Sequence, residues 1–172
     1  MSAQEYTEKS GRTAEDYGRL QYLFSRPFFL SLTIGIPFCF FKLIFGISAV
    51  RAGDGTFPIL TSAGWLIILW AGLDLLMNIS RAGLDLVHRQ ARFEYCSIAQ
   101  IGRYFRKPLV FLAFDTLLSF TLICFMLWSG WITTLTRTEL WLWFAATTLN
   151  LISLSLVSLY NEMKRADKEN NF

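Results

Sequence analysis

Four long apolar runs, residues 27–50, 58–79, 108–131 and 140–160, constrain this chain more than anything else in it. Each approaches or exceeds the ~20 residues that a helix needs to cross ~30 Å of hydrocarbon. Inside a bilayer only helices and closed barrels leave no backbone group unpaired. The chain therefore reads as all-α, a polytopic membrane protein with four transmembrane helices. RAGDGTF (51–57) and ITTLTRTE (132–139) are tight connections. They give two helical hairpins, 27–79 and 108–160, joined by a cytosolic basic amphipathic helix over 80–107. A cytosolic amphipathic arm (1–26) precedes them and a polar tail (161–172) follows.

Composition agrees: 53% of residues are hydrophobic, 16% aromatic and only 17% charged, too apolar for an ordinary soluble domain. A net charge of +3 without a nucleic-acid motif gives no reason to expect nucleic acid as a partner. Cys39, Cys96 and Cys124 have no metal-ligand spacing and read as small buried hydrophobes. His88, the single histidine, cannot supply a bis-histidine haem site. No nucleophile–base set, phosphate loop or metal cluster is visible, so neither enzyme activity nor a cofactor is expected. The first 26 residues lack the pattern of a removable signal peptide.

Lys and Arg set the expected orientation. Four fall in 1–26, six in 80–107 and three in the tail, against one at each hairpin tip (Arg51, Arg137) and one inside a span (Lys42). The positive-inside rule places both termini and the linker in the cytosol. Five of the six Trp lie towards the tips and all six Tyr on the basic side, which supports the span boundaries. YLFSRPFFL (22–30) and YFRKPLVFL (104–112) open the two hairpins alike; this reads either as an internal duplication or as shared chemistry at the start of a span.

The hexapeptides AGLDLL (71–76) and AGLDLV (82–87) stand eleven residues apart, which places Asp74 and Asp85 on one helical face about 17 Å apart. The second span should then run past the membrane surface as one helix, with Arg81 and Asp85 as a plausible i,i+4 pair. Within the spans lie Lys42, Asp74, Asn78, Asp115 and Asn150, a set expected to form a buried polar network because ionisable groups in lipid face protein or water. By depth Lys42 shares a layer with Asn150, and Asp74 with Asp115. A Lys42–Asp74 pair is feasible because side chains tilt towards helix N-termini. Two carboxylates and a lysine at depth suit either a register-fixing core or a proton or cation relay. Pro37 should free the Thr33 carbonyl and kink the first span.

In the linker, Leu84, Val87, Ala91, Tyr95, Ile98, Ile101 and Phe105 recur every three or four residues, with Arg89, Arg92, Arg103, Arg106 and Lys107 alongside. This is an amphipathic pattern with a basic side. Its apolar face suits either anionic lipid or a protein surface.

The run WAGLDLLMNISRAGLDLVHRQARF, with Asn78, Ile79, Ser80 and Arg81 closing its apolar part, is similar to a helix of the eleventh-peroxin family of peroxisomal membrane-proliferation proteins. RKPLVFLAFDTLLSF, with its single Asp115, resembles the family's later apolar helix, NLISLSLVSLY its terminal span and GRLQYLFSRPFF its amphipathic beginning. The resemblance implies a peroxisomal or glycosomal membrane protein that elongates membranes through amphipathic helices and self-association, with lipids and a homo-oligomer or another membrane protein as partners. The expectation is thus a non-enzymatic membrane organiser. Its alternatives are a small proton- or ion-coupled transport component using Lys42, Asp74 and Asp115, in a bacterial inner membrane or another organelle, and an accessory subunit of a larger complex.

Overall fold

The computed structural model describes residues 27–87, 89, 93–94 and 96–169. The expected arm over 1–26 and the linker positions His88, Ala91, Arg92 and Tyr95 lie outside the described residues. Among the described residues six α-helices follow in order: α1 (Pro27–Leu30), α2 (Ile36–Gly53), α3 (Pro58–Leu86), α4 (Ser97–Tyr104), α5 (Pro108–Trp128) and α6 (Arg137–Glu169). A π-helical turn (Ser31–Gly35) joins α1 to α2, and a 3₁₀ turn (Trp131–Thr134) lies between α5 and α6. No strand occurs among the described residues. Among the described residues four helical segments, Ser31–Gly53, Pro58–Leu86, Pro108–Trp128 and Arg137–Tyr160, are long and apolar enough to cross a membrane.

The first span forms the centre of the bundle. Its most apolar stretch is 61% buried, whereas those of the other three are 17–22% buried. The outer helices expose large apolar side chains such as Leu66, Leu69, Leu73, Leu117 and Leu151, as helices bathed in lipid should. Phe38, Phe41, Ile44, Phe45 and Ala49 of α2 form the core with Met126 of α5 and with Trp143 and Ala146 of α6. Phe41 meets Trp143 edge-on at 4.8 Å, and Phe45 stacks on Trp131 at 5.8 Å. These arrangements suit the aromatic quadrupole.

Glycines set the α2–α3 crossing. A Cβ on Gly64 would stand 2.8 Å from the Gly46 carbonyl oxygen and 2.8 Å from the Val50 nitrogen, so only bare backbone allows so close an approach. α5 and α6 both pack on α2 and make little contact with each other, so the second expected hairpin is a chain connection more than a shared interface. The π turn precedes Pro37, whose ring cannot accept a normal turn over the Thr33 carbonyl. Nearby, the Thr33 hydroxyl donates to the Phe29 carbonyl and lies 2.9 Å from the Ser153 hydroxyl.

The linker departs from the single helix expected over 80–107. The second span does continue to Leu86, but it stops there; the described residues 87, 89, 93, 94 and 96 are not helical, and α4 begins at Ser97. The cause lies in tertiary contacts that outweigh the amphipathic pattern: an Arg81 guanidinium donates to the Phe93 carbonyl, and the Ser97 backbone and hydroxyl bond Asp74. Both draw the chain back along α3. Helix α4 then closes with the Lys107 N–H on the Gly102 carbonyl (2.9 Å) and the Arg106 N–H on the Arg103 carbonyl (3.1 Å), a Schellman stop. Arg106 occupies the left-handed position (φ 57°) that usually goes to Gly.

Candidate functional site: a buried lysine between two carboxylates

Lys42 is eleven residues from either end of the first span, about 16 Å from each along the axis, and so lies at its middle. Its side chain is 1% exposed. The ammonium donates to Asp74 Oδ2 at 2.9 Å and to Asp115 Oδ1 at 2.6 Å. It also lies 4.1 Å from the centre of the Trp70 ring, whose face favours a cation. The lysine stem reaches both carboxylates although its Cα was expected one layer above them. Three separate helices, α2, α3 and α5, are thereby tied together at one point.

Asp74 carries the most contacts. Its Oδ1 accepts the Ser97 N–H and the Ser97 hydroxyl, both at 2.7 Å. The first turn of α4 is therefore docked on a carboxylate, as helix N-termini favour. Asp74 lies twelve residues before the end of α3, about 18 Å along the axis. Ser97 thus lies back at the depth of the lysine, and α4 packs beside α5. Where α4 meets α5 the fit is close: a Cβ on Gly102 would stand 2.5 Å from the Phe111 Cβ.

Asn78, one turn from Asp74, donates to the Asp74 carbonyl at 2.9 Å and approaches Cys39 Sγ at 3.8 Å. Asp85 serves the first span in a second way, accepting the Phe28 N–H at 3.3 Å. The two Asp residues of the repeated hexapeptide therefore grip the first span at its middle and at its start. Asn150 is buried on α6, but its Oδ1 has no partner and no bond joins it to the lysine cluster among the described residues. The structure therefore connects Lys42, Asp74, Asn78 and Asp115 and leaves Asn150 outside.

Beside the cluster lies a partly open cavity of about 160 Å³, lined by Lys42, Asp74, Asn78, Asp115, Thr116, Cys39 and Cys96 among others. That volume has room for about five waters, although its lining, which includes Ile34, Phe38 and Leu112, is mostly apolar. Cys96 caps α4 by accepting the Ala99 N–H at 3.4 Å, and burial pushes its thiol up to about 12.

Of the expected linker surface, Leu84 and Ile98 are half-buried, while Val87, Arg89, Ile101, Arg103, Phe105, Arg106 and Lys107 are exposed. α4 packs inward through Ala99 and Gly102 rather than through its larger apolar residues. Sequence reasoning missed Ser97, Cys96, Cys39 and Trp70. A Ser opening a helical pattern is a legible capping signal, but its pairing with a carboxylate 23 positions earlier has no local trace. No protein family, curated protein or solved structure matches this chain.

Proposed function

We propose that this is a non-enzymatic membrane protein that couples a proton or small cation to transport through the Lys42–Asp74–Asp115 site. One observation carries the reading: a lysine bridges two carboxylates beside a cavity of about 160 Å³ at mid-span. With all three groups ionised the site holds one net negative charge in a medium that penalises it strongly. One proton or one monovalent cation neutralises it. The cavity supplies room for that ion and its water, and the docked end of α4 supplies an element that can respond. In this reading Asp115 and Asp74 take the ion in turn, Lys42 holds the pair together, and Ser97 couples occupancy to α4. By the charge count, termini and linker face the cytosol.

Infrared difference spectra of the protein in nanodiscs test this. Stepping pH, or Na⁺ or K⁺ at constant pH, should change carboxyl bands that Asp115→Asn and Asp74→Asn remove. Bands insensitive to all three ions would leave the cluster a structural core.

A second reading, membrane organisation of the kind implied by the peroxin resemblance, is favoured by a different observation. α4 leaves Ile101, Tyr104 and Phe105 exposed beside Arg103 and Arg106. It requires that the intact protein elongate its host membrane and that Ile101→Glu abolish this at equal abundance.

A further inference from the structure

The corner between α4 and α5 concentrates positive charge on an apolar surface at a particular depth. Arg103 lies in the last turn of α4, Arg106 follows its stop, and Lys107 precedes the first residue of α5, so three exposed cations fall within five residues. Around them Tyr104 and Phe105 are exposed, with Phe105 stacked on Phe111 at 5.8 Å. Below them, on the lipid side of α5, Leu109, Val110 and Phe114 are also exposed.

Depth narrows the identity of a partner. Pro108 opens the 21-residue helix α5, about 15 Å from its midpoint along the axis. Half the hydrocarbon thickness is about 15 Å. The corner therefore begins at the headgroup boundary, while α3 continues past it on the same side. Exposed cations at that depth attract the phosphates of anionic lipid. A lipid satisfies the whole surface at once: its phosphate meets the cations, and its acyl chains run down Leu109, Val110 and Phe114. Free phosphate would leave the apolar part unused.

We infer that Arg103, Arg106 and Lys107 form a binding site for the phosphate headgroup of an anionic membrane lipid, held at the α4–α5 corner. The site is separate from the lysine cluster and does not depend on the transport reading. Since α4 also reaches Asp74 at its other end, the lipid secures the segment that closes on the cluster.

The left-handed Arg106 provides an unusually clean test, because Arg106→Gly removes a cation while relieving backbone strain. The full chain is reconstituted in mixed phosphatidylcholine and phosphatidylglycerol, extracted in mild detergent, and its retained lipid counted by native mass spectrometry. Phosphatidylglycerol should be retained in preference to phosphatidylcholine. Affinity should fall about fivefold for Arg106→Gly and about a hundredfold for the triple change Arg103→Gln, Arg106→Gly, Lys107→Gln. Arg106→Lys, and Arg137→Gln at the far end of the molecule, should match the unaltered protein. Undiminished retention by the folded triple variant, equal retention of phosphatidylcholine, or equal loss in Arg137→Gln would each overturn the site. Displacement of the lipid by inorganic phosphate at matched ionic strength would also overturn it, assigning the corner to a free anion.

Discussion

Replacing Lys42 by Met keeps the length and apolar character of the stem and removes only the ammonium. Two carboxylates, 1% and 8% exposed, then face each other without a counter-charge. Stranding one member of a buried ion pair costs about 3–5 kcal/mol. Here two acceptors are stranded together, so the upper part of that range is expected unless a proton enters. Against a total stability of about 5–15 kcal/mol, a third or more of it disappears. Adding Asp74→Asn and Asp115→Asn to Lys42→Met should recover most of the loss, because groups removed together leave no uncompensated charge. The single Asp changes should differ in severity. Asp74 meets donors on both oxygens, Lys42 on one and Ser97 on the other, so an Asn amide must turn its NH₂ towards a donor. Asp74→Asn should therefore be more damaging than Asp115→Asn. Reversible unfolding in mixed micelles, followed by circular dichroism across the double- and triple-variant cycles, reads these energies. Additive losses, with the triple variant weaker than Lys42→Met alone, would refute the reasoning.

Glycine substitutions should separate by contact. Gly64→Ala, forced against Gly46 and Val50, should lose about 1–3 kcal/mol, whereas Gly72→Ala and Gly83→Ala, with open space around them, should be neutral or stabilising by up to about 1 kcal/mol; the same unfolding assay distinguishes them. With its thiol near 12, Cys96 should be about one part in ten thousand thiolate at pH 8, so alkylation should be far slower than at a cysteine placed at Gly55. Because burial favours the neutral thiol, that rate should rise about tenfold per pH unit up to about 12, measured by mass spectrometry. Cysteines at Gly55 and Thr136 should label from one side of the membrane and a cysteine at Asn171 from the other; impermeant reagents on sealed vesicles report this, and finding Gly55 and Asn171 on one side would overturn the positive-inside orientation.

The spans were legible because a bilayer asks only for length and apolarity, and both are written locally. The meeting of Lys42 and Asp74 was legible for a related reason: a charge in hydrocarbon needs a partner, and few candidates exist. Asp115 joins the same ammonium because Lys42 has a long stem, which reckoning depth from Cα positions alone underestimates. The linker was less legible. Its apolar spacing suits one long helix, yet Asp74 and Arg81 pull it back, and a pattern of side chains along a segment carries no record of contacts made far away in sequence. For the same reason α4 buries Ala99 and Gly102, residues that an apolar stripe overlooks, and leaves Ile101 exposed. Asn150 fitted the polar set by depth alone, but depth does not fix which way a side chain faces around its helix.

Ion movement through the lysine cluster is the centre of this account, and liposomes holding the purified protein and internal dyes for pH, Na⁺ or K⁺ measure it most directly. Under an imposed membrane potential, with Na⁺ and K⁺ gradients as parallel arms, the account predicts flux of one of these ions above that of empty liposomes. It predicts that Asp115→Asn, still folded and equally reconstituted, abolishes that flux. Flux no greater than in empty liposomes for every ion, or undiminished flux in the combined Asp74→Asn, Asp115→Asn variant, would contradict it.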